Sequence, residues 1–486
     1  MNLAALLVPF VVALPPGTVA PPPGAVSPAA HVTVLDGQLG LVAVRLPRRG
    51  VAQALRRLRA APGVRYVERD APIQLAGEGC QIVGRDSEQP YPAWRTAIHL
   101  SKRSAAGMLI GIADSGVDDD RLAPQQPPLS FLAAGGARRP QDPFGHGTAV
   151  ASLLVANRPD VGVVGMVPDA TLLSARIARQ GACGSSVLEH GLIRALGWLR
   201  RQGAQVVNIS ATARPTRALV DSLRALQLSG ALVVAAVGNG GSIAPPDAFP
   251  ASQPGVLGVG ALAPGSATVV APSSTRGPQV DLVAPAEGIK VVASGFVTPS
   301  AETATTPIGT SFSAPLVTAA AAMVWATHRG WNAAEVASAL VRSATPLGRG
   351  TPSRDWGSGR LNVSRALRTT RLVDPHEPND WVAAARAQRP LRPGAVVIAT
   401  LGYAGDSVDA YPIDVPAGVK ARAVLRRGGP GLTMRVLPLR TTDAALAAVA
   451  RARPAGSQMA LPPGRHLLVV ARAKGGGAYT LALPRR

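Results

Sequence analysis

The middle of the chain carries a series of short, mostly apolar runs, at residues 109–113, 172–177, 206–210, 231–237 and 256–259. They do not alternate with polar residues, which is the pattern of strands buried on both faces of a parallel sheet. Between them lie segments with apolar residues at helical spacing, over 187–201 and 218–228. Strand and helix in alternation predict a doubly wound α/β domain with a mostly parallel sheet. In such a domain a ligand site lies beyond the carboxyl ends of the strands.

The pattern changes on either side. Residues 31–46 alternate like a strand, 52–60 have helical spacing with arginine on the outer face, and 64–70 read as a second strand. Together they predict a small α+β unit. After Ala366 proline and glycine punctuate short alternating runs, which predicts an all-β unit. The apolar run 3–14 is too short to cross a bilayer. Small residues (Thr18, Val19, Ala20) and a proline-rich stretch follow it, so it reads as a secretory signal, although no Lys or Arg precedes it. No later segment reads as a membrane anchor, and the alanine-rich run after Ser311 reads as a buried helix.

Composition narrows the function classes. Hydrophobic residues make up 47% of the 486, enough for two or three domains with cores. Aromatics make up 3%, too few for a stacking platform for sugars or single-stranded nucleic acid. The net charge is +22, but arginine is scattered along the chain and lysine occurs only at Lys102, Lys290, Lys420 and Lys474. Without a run of like charge this reads as a solvated surface, with no nucleic-acid partner. Two cysteines occur, Cys80 and Cys183. In an exported protein they would form a bridge, and otherwise they are two unrelated buried thiols.

Three segments carry candidate chemistry: LIGIADSGVD around Asp114, FGHGTAVASLL around His146 and GTSFSAPLVTAAAA around Ser311. Each places one residue at a junction between an apolar element and a loop. A serine hydroxyl needs a histidine to take its proton, and the histidine needs a carboxylate to fix its tautomer. Ser311 would open a helix, where free N–H groups favour an oxyanion, with Pro315 tolerated in the first turn. Taken singly, the serine could be a helix cap and the histidine a structural residue. Asp, His and Ser in this chain order are one known arrangement of the triad.

These segments resemble the subtilisin-like serine peptidases, or subtilases, over roughly residues 95–368. The resemblance implies Asp114, His146 and Ser311 as the triad. It also implies Asn239, in VVAAVGNGG, as the side-chain donor to the oxyanion. Losing that donor costs subtilisin itself about a hundred- to a thousandfold in turnover. Residues 31–76 resemble the inhibitory propeptide of the family, which would be cut near Ala76. The substrate strand, Ser-x-Gly-Gly in the family, reads Ser210-Ala211-Thr212-Ala213 here. Thr212 and Ala213 in place of the two glycines, with Ala248 at the pocket floor, should leave a small primary pocket. Many relatives bind calcium through a loop that here reads Asn157-Arg158-Pro159-Asp160-Val161-Gly162. Proline in place of a ligand and an arginine beside it argue against that site, and no metal or other cofactor is expected. The segments 377–380 and 406–418 resemble the small β-sandwich appended to secreted bacterial peptidases.

The expected organisation is therefore a signal and proline-rich segment (1–30), an inhibitory propeptide (31–76), a subtilisin-like catalytic domain (77–368) and a C-terminal β-sandwich (372–486). The expected protein is a monomeric, extracytoplasmic serine endopeptidase. It would act on proteins or peptides, with its own propeptide as intramolecular inhibitor. A dedicated processing peptidase with few clients, and a non-catalytic binding protein on the same fold, are the alternatives.

Overall fold

A computed structural model describes residues 7–75, 93–101, 103–122, 130–132, 142–178, 187–242, 248–253, 255–294, 303–305, 309–348, 353–371, 385–386, 388–401, 408–427, 432–441, 458–472 and 477–484. The N-terminal unit comprises β1 (Leu7–Ala13), β2 (His31–Asp36), β3 (Leu41–Pro47), α1 (Val51–Ala60), β4 (Tyr66–Arg69) and β5 (Gln74–Leu75). Its sheet has the order β2-β3-β1-β4. The expected strand over 31–46 is thus two strands with a turn between them.

The larger correction concerns the apolar run at the start. Leu7–Ala13, read above as part of an export signal, is the inner strand β1, paired antiparallel with both β3 and β4. Phe10 and Val12 face a core that includes Leu58 of α1. Val11 and Ala13 face the core shared with the central domain. Burial on both faces requires apolar residues at every position, so such a strand has the same composition as the apolar stretch of a signal. The small unit therefore begins by residue 7 and not at residue 31.

The central domain contains α2 (Trp94–Ala97), β6 (Leu109–Asp114), α3 (Asp119–Leu122), β7 (Ser130–Leu132), α4 (His146–Val155), β8 (Asn157–Arg158), β9 (Val163–Val164), β10 (Thr171–Arg176), α5 (Glu189–Arg201), β11 (Val206–Ile209), β12 (Ala211–Thr212), α6 (Arg217–Leu228), β13 (Leu232–Ala236), β14 (Val256–Ala261), β15 (Leu282–Ala284), β16 (Lys290–Val292), β17 (Thr303–Thr305), α7 (Thr310–Thr327), α8 (Ala333–Ser343) and α9 (Val363–Ala366). Seven of these strands form a parallel sheet in the order β15-β14-β13-β11-β6-β10-β7. One face packs on α4, α7 and α8 and the other on α5 and α6. This is the expected doubly wound α/β architecture.

The last unit comprises β18 (Val396–Leu401), β19 (Val408–Val415), β20 (Ala421–Arg427), β21 (Leu432–Pro438), β22 (Gln458–Leu461), β23 (Gly464–Arg472) and β24 (Gly477–Ala482). Its two antiparallel sheets, β18-β24-β20-β22 and β19-β23-β21, bury Val397, Ile413, Met434 and Leu468 between them. This is a β-sandwich, as expected.

The N-terminal sheet lies on α5 and α6 through specific polar contacts. Buried Asp36 pairs with Arg200, and Glu68 accepts from the backbone N–H groups of Arg217 and Ala218 at the start of α6. Asp70 accepts from His190 N–H and meets its Nδ1 at 2.5 Å at the start of α5. Carboxylates at helix N-termini satisfy orphan N–H groups and the positive end of the dipole. We expect that removing residues 1–13 abolishes soluble, folded protein while removing 1–6 does not. Expression followed by circular dichroism would show this, and a folded, active 14–486 would contradict the placement of β1.

Candidate active site

Asp114 is the last residue of β6, one of the inner strands of the sheet, and it is buried. His146 is the first residue of α4, preceded by Gly145 in the left-handed region (φ 77°). The helix start comes so close to the turn after β6 that a methyl group on Gly147 would lie 1.9 Å from the Gly116 carbonyl oxygen. Only glycine fits there. The approach sets His146 Nδ1 2.7 Å from Asp114 Oδ1. The carboxylate can only accept, so Nδ1 carries the proton and the buried Nε2 presents its lone pair. Burial pulls the imidazolium down, but the charge and hydrogen bond of Asp114 outweigh it. Together with the Asp142 charge they hold His146 above its ordinary value.

Ser311 is the second residue of α7, whose residues from Thr310 to Trp325 are all buried. Its Oγ lies 3.4 Å from the Ser210 carbonyl oxygen, and the Phe312 ring stands 5.6 Å from the His146 ring. Pro315 sits one turn further into the helix than the first-turn position expected from the sequence. It has no N–H for the carbonyl four residues before it, which is that of Ser311. Ser210 Oγ donates to that freed carbonyl instead, at 2.9 Å. Ser210 Oγ in turn accepts from Asn208 Nδ2 at 2.9 Å. The Ser210 side chain thus anchors α7 to the sheet, while its carbonyl adjoins the Ser311 hydroxyl.

Asn239 follows β13, just after Gly238 in the left-handed region. Its Oδ1 accepts from Thr310 N–H at 2.9 Å and Thr310 Oγ1 at 3.1 Å. Those bonds fix the amide orientation, with Oδ1 held at the start of α7. The arrangement is a buried hydroxyl, a histidine with its tautomer set, and an amide donor at the start of a helix.

A Subtilase family model matches residues 105–359. Subtilisin E of Bacillus subtilis is 30% identical over 324 residues, 65% of this chain and 78% of that protein. An alkaline protease of Alkalihalobacillus alcalophilus is 28% identical over 308 residues, 63% of this chain and 75% of that protein. The chain belongs to the subtilase family. It is a subtilisin-like serine endopeptidase. In fold it also resembles fervidolysin from Fervidobacterium pennivorans, described as a keratinolytic enzyme related to subtilisin. That likeness has a TM-score of 0.64 at 16% identity, over 95% of this chain and 84% of that one.

In this subtilase the cleft holds a segment of its own chain. Gln74 and Leu75 pair antiparallel with Thr212 and Ala211. On the other side Ile73 N–H donates to the Val187 carbonyl at 2.9 Å and Glu189 N–H to the Ala71 carbonyl at 2.8 Å. Residues 71–75 are therefore the middle strand between two edges. Thr212 and Ala248 converge over Gly238, since a methyl there would lie 3.1 Å from Thr212 Cγ2 and 3.9 Å from Ala248 Cβ. Ala76, Cys80 and Cys183 lie outside the described residues.

The loop that binds calcium in many relatives does not fit the ion here. The buried Arg158 guanidinium donates to both Asp160 carboxylate oxygens, at 2.6–3.0 Å, and to the Arg121 carbonyl at 3.0 Å. A cation held by the chain already engages the oxygens a hard metal would need.

Sequence reasoning missed two buried acids. Asp142 lies four residues before His146, and an aspartate just ahead of a helix is a readable capping signal. Glu189 lies at the seam with the N-terminal unit, and its carboxylate accepts from Thr216 Oγ1. Burial, reinforced by the Asp70 and Glu68 charges, pushes its carboxyl up to about 7, against hydrogen bonds from Thr216 and the Ala71 backbone. A raised carboxyl stabilises the folded form below its unfolded value, and that contribution is lost as pH rises through the folded value. We therefore expect the intact chain, kept uncut by Ser311→Ala, to lose melting temperature as pH rises from about 4.5 to about 7. Glu189→Gln should flatten that slope, and an equal slope in both would refute the assignment.

Proposed function

We propose that this endopeptidase is made as a self-processing zymogen and cleaves peptide bonds through an acyl-enzyme on Ser311. The observation that carries the reading is the strand formed by residues 71–75, laid into the cleft between 187–189 and 211–212 as a substrate chain would lie. Ser311 Oγ attacks the scissile carbonyl carbon while His146 Nε2 takes its proton. His146 then gives that proton to the leaving amine, and water repeats the sequence to release the acid. Asp114 holds the imidazole by Nδ1 and stabilises its cation. Asn239 Nδ2 and the backbone N–H of Ser311 receive the oxyanion.

The N-terminal unit acts as the intramolecular inhibitor and folding partner. Its pairing runs from Thr212 through Ala211 towards Ser210, whose carbonyl adjoins the nucleophile. The cut is thus expected one residue beyond Leu75, after Ala76. With Leu7–Ala13 used as a strand, the extracytoplasmic site of action follows from the family resemblance, and in that oxidising compartment Cys80 and Cys183 would form a bridge. The enzyme acts as a monomer on protein or peptide substrates. The pocket narrowed by Thr212 and Ala248 favours the alternative of a processing peptidase with few clients over a broad digestive enzyme.

Ser311→Ala should fold, remain uncut, and lose peptidase turnover by at least about four orders of magnitude. Turnover at the parent's rate would remove Ser311 from the mechanism. N-terminal sequencing of the active protein should read from Gly77. In a peptide library the residue on the acyl side should be small, with Ala preferred over Phe. Thr212→Gly combined with Ala248→Gly should shift kcat/KM towards larger residues by about 10- to 200-fold. A parent profile led by Arg or Phe would refute the small pocket.

A further inference from the structure

Asp142 is fully buried between the turn after Asp114 and the start of the helix that bears His146. Its Oδ1 accepts from Ser115 Oγ at 2.7 Å, Gly145 N–H at 2.9 Å and Phe144 N–H at 3.1 Å. Its Oδ2 accepts from Thr148 N–H and Thr148 Oγ1, both at 2.7 Å. The donors come from both sides of the Asp114–His146 contact. Phe144, Gly145 and Thr148 flank His146 at the start of α4, and Ser115 directly follows Asp114. Ser115 closes the connection. Its Oγ accepts from Gly147 N–H at 2.9 Å, and its backbone N–H donates to Asp114 Oδ1 at 2.7 Å, the same oxygen that meets His146.

We infer that Asp142 is a positioning residue for catalysis: through Ser115 it sets the strand end bearing Asp114 against the helix start bearing His146, and it places a second negative charge behind the imidazolium. The inference rests on the triad reading above. Each of the polar contacts described for the carboxylate comes from a donor, a pocket built for the ionised form. Burial, with the Asp114 charge, holds the Asp142 carboxyl above its ordinary value, against the hydrogen bonds from Ser115 and Thr148 that favour the ionised form. The charged groups facing it are Asp114, His146 and Arg176, whose guanidinium interacts favourably with it. The Asp142 charge also acts on His146, in the direction that favours the imidazolium.

A helix cap that served stability alone would leave the acidity of His146 untouched, and this separates the two roles. Asp142→Asn keeps the shape and removes the charge. Active sites are counted by fluorophosphonate labelling, so that incomplete maturation does not enter the rates. Per labelled site, Asp142→Asn should lower kcat about tenfold or more with KM little changed, and should move the acid limb of kcat/KM to lower pH. Ser115→Ala severs the bridge to β6 but leaves the carboxylate its other donors. It should lower kcat severalfold, and it decides the matter alone if Asp142→Asn does not fold. Unchanged kcat and an unmoved acid limb, whatever happens to the melting temperature, would overturn the inference. A Ser311→Ala protein that still turns over would instead overturn the triad reading on which it rests.

Discussion

Much of this molecule depends on one helix that is buried along almost its whole length. Helix α7 runs against the sheet with Thr310 to Trp325 out of water, and much of its surface is alanine. Small side chains let strands β11, β13 and β14 come close. A helix buried all round must then satisfy each polar group inside the protein. Thr318 Oγ1 bonds back to the Ala314 carbonyl and reaches Asn208 Oδ1, and Ser313 Oγ donates to the Ala284 and Pro285 carbonyls. Ser210 takes up the carbonyl left free by Pro315. These contacts hold the N-terminus of α7, and with it Ser311, at the carboxyl edge of the sheet where Asp114 and Asn239 also arrive.

The N-terminal unit uses the same economy at its seam. Its sheet is too small to bury an inner face alone, so β1 and β3 share a core with α5 and α6. Carboxylates of Glu68 and Asp70 cap the two helices they meet, and the chain then passes directly into the cleft. Pairing through the main chain lets a segment of almost any sequence occupy the strand position, while the pocket selects among side chains. In the proposed zymogen the same edges would serve first the protein's own segment and later a substrate.

The arginine excess has a use that its scattered positions conceal. Arg65 donates to the Leu14 carbonyl, Arg158 to Arg121, Arg329 to Ala106, Arg342 to Thr370 and Arg360 to Ala267. Each joins parts of the chain well separated in sequence. A rigid fork of donors suits this work better than a flexible ammonium. The expected solvated surface is therefore only part of the account, for several of these guanidinium groups bind backbone oxygens across the fold.

The apolar runs, the helical spacing and the Asp, His and Ser segments were legible because each is local. A doubly buried strand needs consecutive apolar residues, and a residue at a strand end or helix start lies beside its own signal. These local signals were enough for the α/β sheet, the all-β unit that follows it and the candidate triad. The sequence by itself could not tell an inner strand from an export signal at Leu7–Ala13, since both are short apolar runs and only the partner on each face differs. Nor could it place Pro315 a turn deeper than the helix start, or give the Ser210 side chain its bond to the Ser311 carbonyl. The link from Asp142 through Ser115 to Asp114, the meeting of Glu189 with Asp70, and the Arg158 guanidinium in the calcium loop were decided by tertiary structure alone. Charge and hydrogen bonding act through a few ångströms of space, and folding brings into that range residues that the chain keeps far apart.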